Sequence, residues 1–211
     1  MSDLSDLKIT KDVHKMSDED MSEYATTLAL SFSDYSLFTH FFRKYNFNDA
    51  VLFFKIALKA DSKNLFGLST KNHEAVSIFM KNGIKDASIW QFIKAGGLKY
   101  FFKFGIKSTL KMINFSSYAL SIKKKYIRST DLYLYLLATK PESRHHGLGS
   151  IVLEPVLNYC DRENKKCYLE TLDEENTLIY EHFGFELVEV SDLPKSNLKL
   201  YCLLKKPRNN I

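Results

Sequence analysis

Residues 131–150 read Asp-Leu-Tyr-Leu-Tyr-Leu-Leu-Ala-Thr-Lys-Pro-Glu-Ser-Arg-His-His-Gly-Leu-Gly-Ser, and this stretch restricts the fold more than any other. From Asp131 to Ala138 nearly every residue is apolar or aromatic, which suits a strand buried on both faces. Pro141 cannot extend a hydrogen-bonded ladder and marks the exit. Beyond the turn, Leu148, Val152, Val156 and Cys160 recur at helical spacing. The reading is strand, short turn, helix, with Gly147, Gly149 and Arg144 around the first helical turn. Backbone N–H groups left free beside a positive dipole end form a site for phosphates. The plainer alternative is a glycine-softened turn before a core helix.

Length and composition bound what can surround this element. A chain of 211 residues fits one α/β domain with room for an insertion. With 45% hydrophobic residues, 16 of them Phe, it can bury a full core. The net charge of +5 favours a polyanionic ligand but lacks the concentrated basic face that nucleic acid would need. Cys160, Cys167 and Cys202 lie in apolar periodic stretches and form no Cys-x-x-Cys pair. They read as buried thiols of a reducing compartment, with neither a disulfide frame nor a metal site. The polar, acidic first residues show no signal peptide, and no run reaches the roughly 18 apolar residues of a membrane span. The expectation is a soluble cytoplasmic protein, monomer or homodimer.

Leu7 to Val13 alternates and is expected as the first strand. Ser17 or Asp18 then caps a helix carrying Met21, Tyr24, Leu28 and Phe32. Residues 33–36 break it, Phe38, Phe41 and Phe42 continue as a short aromatic helix, and Asn48 or Asp49 caps a third helix to about Lys59. Leu65–Thr70 and Ala75–Met80 are strands of a hairpin whose tip, Lys71-Asn-His-Glu74, places His73 in solvent. Residues 81–130 differ in character, with four glycines and the only tryptophan. Lys99, Lys103, Lys107 and Lys111 fall four apart and would form one helical face, with Phe101, Phe102, Ile106, Leu110 and Ile113 largely away from it. A basic amphipathic helix can lie on an anionic membrane, but a solvated face is the commoner outcome, and membrane association is not expected. Lys123, Lys124 and Lys125 form another basic cluster.

After the glycine helix, Asn164 to Cys167 is a turn and Cys167 to Leu172 a further buried strand. Asp173 is placed to cap the next helix, which Gly184 ends in the left-handed conformation glycine tolerates. Phe185 to Val190 and Asn197 to Leu204 supply two last strands. Asn176 and Tyr180, four apart, share one face of that helix.

Arg144-x-x-Gly147-x-Gly149 is neither the dinucleotide pattern Gly-x-Gly-x-x-Gly nor a nucleotide-triphosphate loop ending in Gly-Lys-Ser/Thr. It resembles motif A of the GCN5-related N-acetyltransferases (GNAT), Gln/Arg-x-x-Gly-x-Gly/Ala. The run Asn176, Tyr180, Gly184, Phe185 resembles the family's Asn-x-x-x-Tyr-x-x-x-Gly-Phe block, in the right order and after a strand. Leu-Glu-Pro-Val-Leu and Tyr-Leu-Glu-Thr-Leu are similar to the puromycin-acetyltransferase-like branch. The resemblance covers about residues 131–190.

It implies an α/β (α+β) GNAT fold: a mixed, mostly antiparallel sheet of about seven strands, splayed between strands 4 and 5 and flanked by helices. It further implies a single acetyltransferase domain over 1–211, with 131–190 binding acetyl-CoA and the helical insertion 81–130 shaping the acceptor site. Pantetheine would pair along the fourth strand at Leu137 and Thr139. Pyrophosphate would rest on Arg144, His145, His146, Gly147, Leu148, Gly149 and Ser150, although the two histidines depart from the usual pattern. Leu137 or Ala138 would offer an N–H to the oxyanion, and Asn176 would contact the cofactor arm. Tyr180 is carried over as general acid, since a hydroxyl of pKa about 10 is protonated at neutral pH and can serve a thiolate. Glu170 is a candidate general base, because a buried carboxylate there would have a raised pKa. It could equally pair with a lysine or hold a substrate ammonium, and Tyr133 and Tyr135 could order a water chain instead. The implied activity is acetyl transfer to a primary amine of a small molecule or peptide; the alternative is an acyl-CoA-binding module without transfer.

Overall fold

The computed structural model describes residues 4, 7–41 and 45–208. The apolar run foreseen from the sequence forms a strand, Leu132–Thr139, at the middle of a sheet that has seven strands among the described residues. In chain order these are β1 (Val13–Lys15), β2 (Leu65–Thr70), β3 (Ala75–Met80), β4 (Leu132–Thr139), β5 (Cys167–Thr171), β6 (Glu186–Asp192) and β7 (Lys199–Lys205). They lie in the order β1-β2-β3-β4-β5-β7-β6, with β4 and β5 the parallel pair and the other neighbours antiparallel. This is the mixed, mostly antiparallel sheet anticipated above. The helices are α1 (Met21–Ser31), α2 (Ser36–Phe41), α3 (Phe47–Ala60), α4 (Ile89–Phe92), α5 (Leu98–Tyr126), α6 (Leu148–Arg162) and α7 (Glu175–His182), with a π-helical turn at Ile93–Gly97.

All six residues of β3 are buried, so both faces of the sheet must be covered. Val152, Leu153 and Val156 of α6 close one face against Ala75, Phe79 and Leu134. Tyr24 and Leu28 of α1, with Phe54 and Leu58 of α3, close the other against Val76, Ile78 and Ala138. A third cluster joins Ile122 at the end of α5 to Tyr168, Cys202 and Leu204. Cys160, Cys167 and Cys202 are buried free thiols.

Several local expectations move. The first strand is Val13–Lys15 and not Leu7–Val13: a turn closed by Val13 N–H on Thr10 C=O precedes it, and Leu7 packs into the core instead of alternating. The first helix begins at Met21, with Asp20 as its cap residue. Ser17 and Asp20 bond reciprocally, Ser17 N–H and Oγ donating to the carboxylate and Asp20 N–H to Ser17 Oγ. Neither Asn48 nor Asp49 caps α3; Asn46 does, its side chain accepting from Asp49 N–H at 3.2 Å. Phe42 lies outside the described residues. Lys99 to Lys111 do not share one continuous face, because Gly105 leaves the helical region (φ 78°, ψ 171°) and breaks α5 between Lys103 and Lys107. No described helix is long and apolar enough to cross a membrane.

Candidate functional site

β4 and β5 pair at two positions only, Leu132 with Cys167 and Tyr133 with Tyr168. Beyond Tyr133 the strands part, and a cleft of about 1210 Å³ opens between them. The divergence has a local cause on the other side of β4. Its register against β3 slips between Ile78 and Phe79, so that Tyr135 is an extra residue, and such a bulge bends and twists the strand that carries it. The backbone of Thr139 faces away from β3: its N–H donates to Ser31 Oγ at 3.2 Å, and its carbonyl accepts from that hydroxyl at 2.8 Å. By the two-residue period of a strand, the polar groups of Leu137 face the same way. Leu137 therefore presents backbone to the cleft, while those of Thr139 are already engaged by Ser31.

The chain leaves β4 through a 3-10 turn at Pro141–Ser143 and reaches α6 at Gly147. Gly147 is the helix cap, in the left-handed region at φ 73°. Having no side chain, it gives the first-turn amides of α6 no side-chain cap, although Ser150 N–H turns back to Gly147 C=O at 3.1 Å. A Cβ on Gly149 would stand 3.6 Å from Thr139 Oγ1, within the cleft lining. Arg144 is exposed and donates to Ser31 C=O at 3.0 Å. Of the predicted cofactor contacts, Leu137 to Thr139, Arg144, His145, Gly147 to Ser150, Asn176 and Tyr180 all line the cleft, and His146 does not.

The opposite wall is β5 and α7. Asp173 does not cap α7 with its side chain; Glu174 occupies the cap position, and the Asp173 carboxylate accepts from Ser36 Oγ at 2.9 Å. Asn176 donates to Thr171 Oγ1 at 3.2 Å, so its amide is anchored to β5. The helix ends as the sequence suggested. Gly184 (φ 85°) donates to Glu181 C=O and Phe185 to Tyr180 C=O, the paired bonds of a Schellman turn. That turn and the Phe185 ring, edge-on at 6.0 Å, fix Tyr180, whose hydroxyl makes no hydrogen bond to another described residue. Desolvation, with a smaller contribution from Tyr35, holds its pKa well above the usual tyrosine value.

Glu170 points into the same cleft from β5. Its Oε1 is buried and has no hydrogen-bond partner among the described residues. Desolvation pushes the carboxyl up to about 7, opposed chiefly by the ammonium of Lys123. A carboxyl of that pKa is half ionised near neutral pH and can accept a proton there.

No family model matches the chain. A segment of 77 residues is 35% identical to an uncharacterised N-acetyltransferase of Schizosaccharomyces pombe, covering 35% of this chain and 31% of that protein. The match thus spans under a third of the curated relative. Among solved structures, arylalkylamine N-acetyltransferase 2 from Aedes aegypti superposes over 94% of this chain and 100% of its own, with TM-score 0.62 and 12% identity. An acetyltransferase assigned to the GNAT family, from Desulfovibrio desulfuricans, does so over 92% and 98%, with TM-score 0.53 and 12% identity. The chain thus shares the fold of these acetyltransferases.

The cleft also holds residues that the motifs did not reveal. Lys123, one of the basic cluster with Lys124 and Lys125, is buried. Its Nζ donates to Asp86 at 3.1 Å and stands 3.9 Å from the centre of the Tyr133 ring. The signal was present in the spacing Ala119, Ile122, Lys123, Tyr126, which is the buried stripe of the last turns of α5. Asp86 lies 37 residues away, and no local pattern connects the two. Phe92, Met112 and Phe115 of the 81–130 segment line the cleft beside Phe32, Phe53 and Phe54.

Proposed function

We propose that the protein is an N-acetyltransferase that moves the acetyl group of acetyl-CoA to a primary amine of a small molecule or peptide. The observation that carries this reading is the parting of β4 and β5 after Tyr133. It leaves a phosphate-ready helix start on one wall, and Tyr180 and Glu170 on the other. The cleft fits the cosubstrate: a side chain at Gly149 would project into it, and the uncapped amides of α6 with Arg144 suit a pyrophosphate. Leu137 supplies strand backbone for the pantetheine arm. Rings of Phe32, Phe53, Phe54, Phe92 and Phe115 suit an amine with an apolar or aromatic body, and the 81–130 segment shapes that end of the cleft.

In this reading Glu170, as carboxylate, takes the proton of the incoming ammonium or the proton released as nitrogen attacks the thioester carbonyl. The β4 amide of Leu137 stabilises the developing oxyanion, since that of Ala138 faces its β3 partner Val76. Collapse breaks the C–S bond, and Tyr180 gives its hydroxyl proton to the departing thiolate, leaving amide and free thiol. Lys123 tempers the basicity of Glu170. Replacing Tyr180 by Phe should lower turnover by about 10²–10⁴-fold with acetyl-CoA affinity unchanged. Equal loss of turnover and affinity would remove Tyr180 from the acid role. Full occupancy by acetyl-CoA with no thiol release across a broad amine panel would instead favour a binding module.

A further inference from the structure

At the sheet edge away from β5, three side chains from separate segments meet: His14 on β1, Asp20 before α1, and His73 in the turn between β2 and β3. Each offers a ligand atom, and these atoms lie within 4.8 Å of one another. None of the three lines the cleft. His73 was expected in solvent, yet only 17% of its side chain is exposed. It holds a left-handed conformation (φ 52°) that is uncommon outside glycine, and three bonds pin it there. Its N–H donates to Thr70 C=O, its carbonyl accepts from Thr27 Oγ1, and its Nδ1 meets Ser69 Oγ at 2.9 Å.

The direction of that last bond sets the chemistry. Ser69 Oγ spends its one proton on Thr70 C=O at 2.8 Å, so it accepts from Nδ1–H of His73. The lone pair of the neutral imidazole is therefore on Nε2, which faces Asp20 Oδ1 at 3.8 Å. That separation is too long for a hydrogen bond. The other oxygen, Oδ2, is held by Ser17 N–H and Oγ, leaving Oδ1 directed at His73. His14 is the cross-strand partner of Ser69, and its ring lies edge-on to His73 at 4.9 Å. Two potential ligands thus already have orienting partners of the kind that metal-bound imidazoles and carboxylates have.

We propose that His14, Asp20 and His73 form a binding site for a divalent first-row transition ion, with zinc as the best match, tying β1 and the start of α1 to the β2–β3 turn. Two imidazoles and a carboxylate suit zinc with a water as fourth ligand. Bonds of about 2.0–2.1 Å would place ligand atoms roughly 3.3 Å apart in a tetrahedron, a contraction of about half an ångström from the 3.8 Å Nε2–Oδ1 separation and of at most about 1.5 Å for any pair of the cluster. The ion would act as a staple for a three-residue edge strand.

The test is titration of the untagged full chain with Co²⁺, read by the visible absorption of the bound ion, followed by displacement with Zn²⁺. The expected result is one saturable site whose occupation raises the thermal midpoint, reversed by chelator. His73→Asn, which tolerates the same backbone conformation, should abolish that site. His14→Gln, on the edge strand, tests the same point should His73→Asn not fold. Ser69→Ala, which frees the ring from its orienting partner, should weaken binding about 10–100-fold. Absence of saturable binding by the unaltered chain, or undiminished binding in folded His73→Asn or His14→Gln protein, would overturn the proposal.

Discussion

Replacing Glu170 by Gln separates the two consequences of burying this carboxyl. Gln keeps the shape of the protonated acid and cannot ionise. The folded-state pKa of about 7 lies above the ordinary 4.5, so the folded protein holds this proton more tightly than the unfolded chain does. The resulting stability is fully present below about pH 4.5 and is lost as pH rises through 7. The gap, at about 1.4 kcal/mol per pKa unit, amounts to about 3 kcal/mol. Glu170→Gln and the unaltered protein should therefore be nearly equal in stability at pH 4.5. At pH 8.5 the variant should be the more stable, by about 3 kcal/mol, or about 6–12 °C in thermal midpoint for a chain this size. Catalysis should move the other way. The acid limb of kcat/KM near pH 7 should disappear in the variant along with most of the rate. Comparing variant with parent at each pH cancels the other titrating groups. A stability difference that stays constant from pH 4.5 to 8.5 would refute the burial argument, and an unchanged pH–rate profile would remove Glu170 as base.

Three further substitutions probe other parts of the account. Lys123→Met removes the ammonium that holds the Glu170 carboxyl down and leaves Asp86 to push it up, so the acid limb of kcat/KM should move above pH 7; a limb that stays put would disconnect Lys123 from Glu170. Gly184→Ala forces a side chain into the left-handed conformation that closes α7, and denaturant unfolding should show a loss of about 1–2 kcal/mol. Asn46→Ala should cost about 1 kcal/mol in the same assay by uncapping α3, and no change would mean that water replaces the cap.

The elements readable from sequence were those whose meaning is carried by close neighbours. Leu132 to Thr139 announced a doubly buried strand by its unbroken apolar run. Gly147 and Gly149 announced a helix start, and Tyr180 and Gly184 a helix with a left-handed stop, because each pattern closes within a few residues. Chain position alone could not show that Ser31 engages the Thr139 backbone, or that Asp86 pairs with Lys123, since those partners lie 108 and 37 residues apart. The lysine face from Lys99 to Lys111 failed for a different reason: a helical period presumes helical dihedrals, and Gly105 breaks them. The first strand was misplaced because Leu7 and Ile9 alternate like a strand but pack as an irregular lead-in to the core. Asn46 has no signal of its own in the sequence, because Asn48 and Asp49, two and three residues on, are equally good capping types.

In the proposed reading the cleft between β4 and β5 binds acetyl-CoA through the glycine turn. That binding is tested most directly by thermal unfolding with acetyl-CoA, CoA, ATP and NADH in parallel, for the parent chain and for Gly149→Glu. At a hundredfold excess over the dissociation constant, binding adds about 2.7 kcal/mol, or about 5–10 °C at this size. The account predicts that rise with acetyl-CoA and CoA alone, and its loss in Gly149→Glu, whose carboxylate would occupy the pyrophosphate cradle. No rise with either, or an equal rise in the variant, would contradict it.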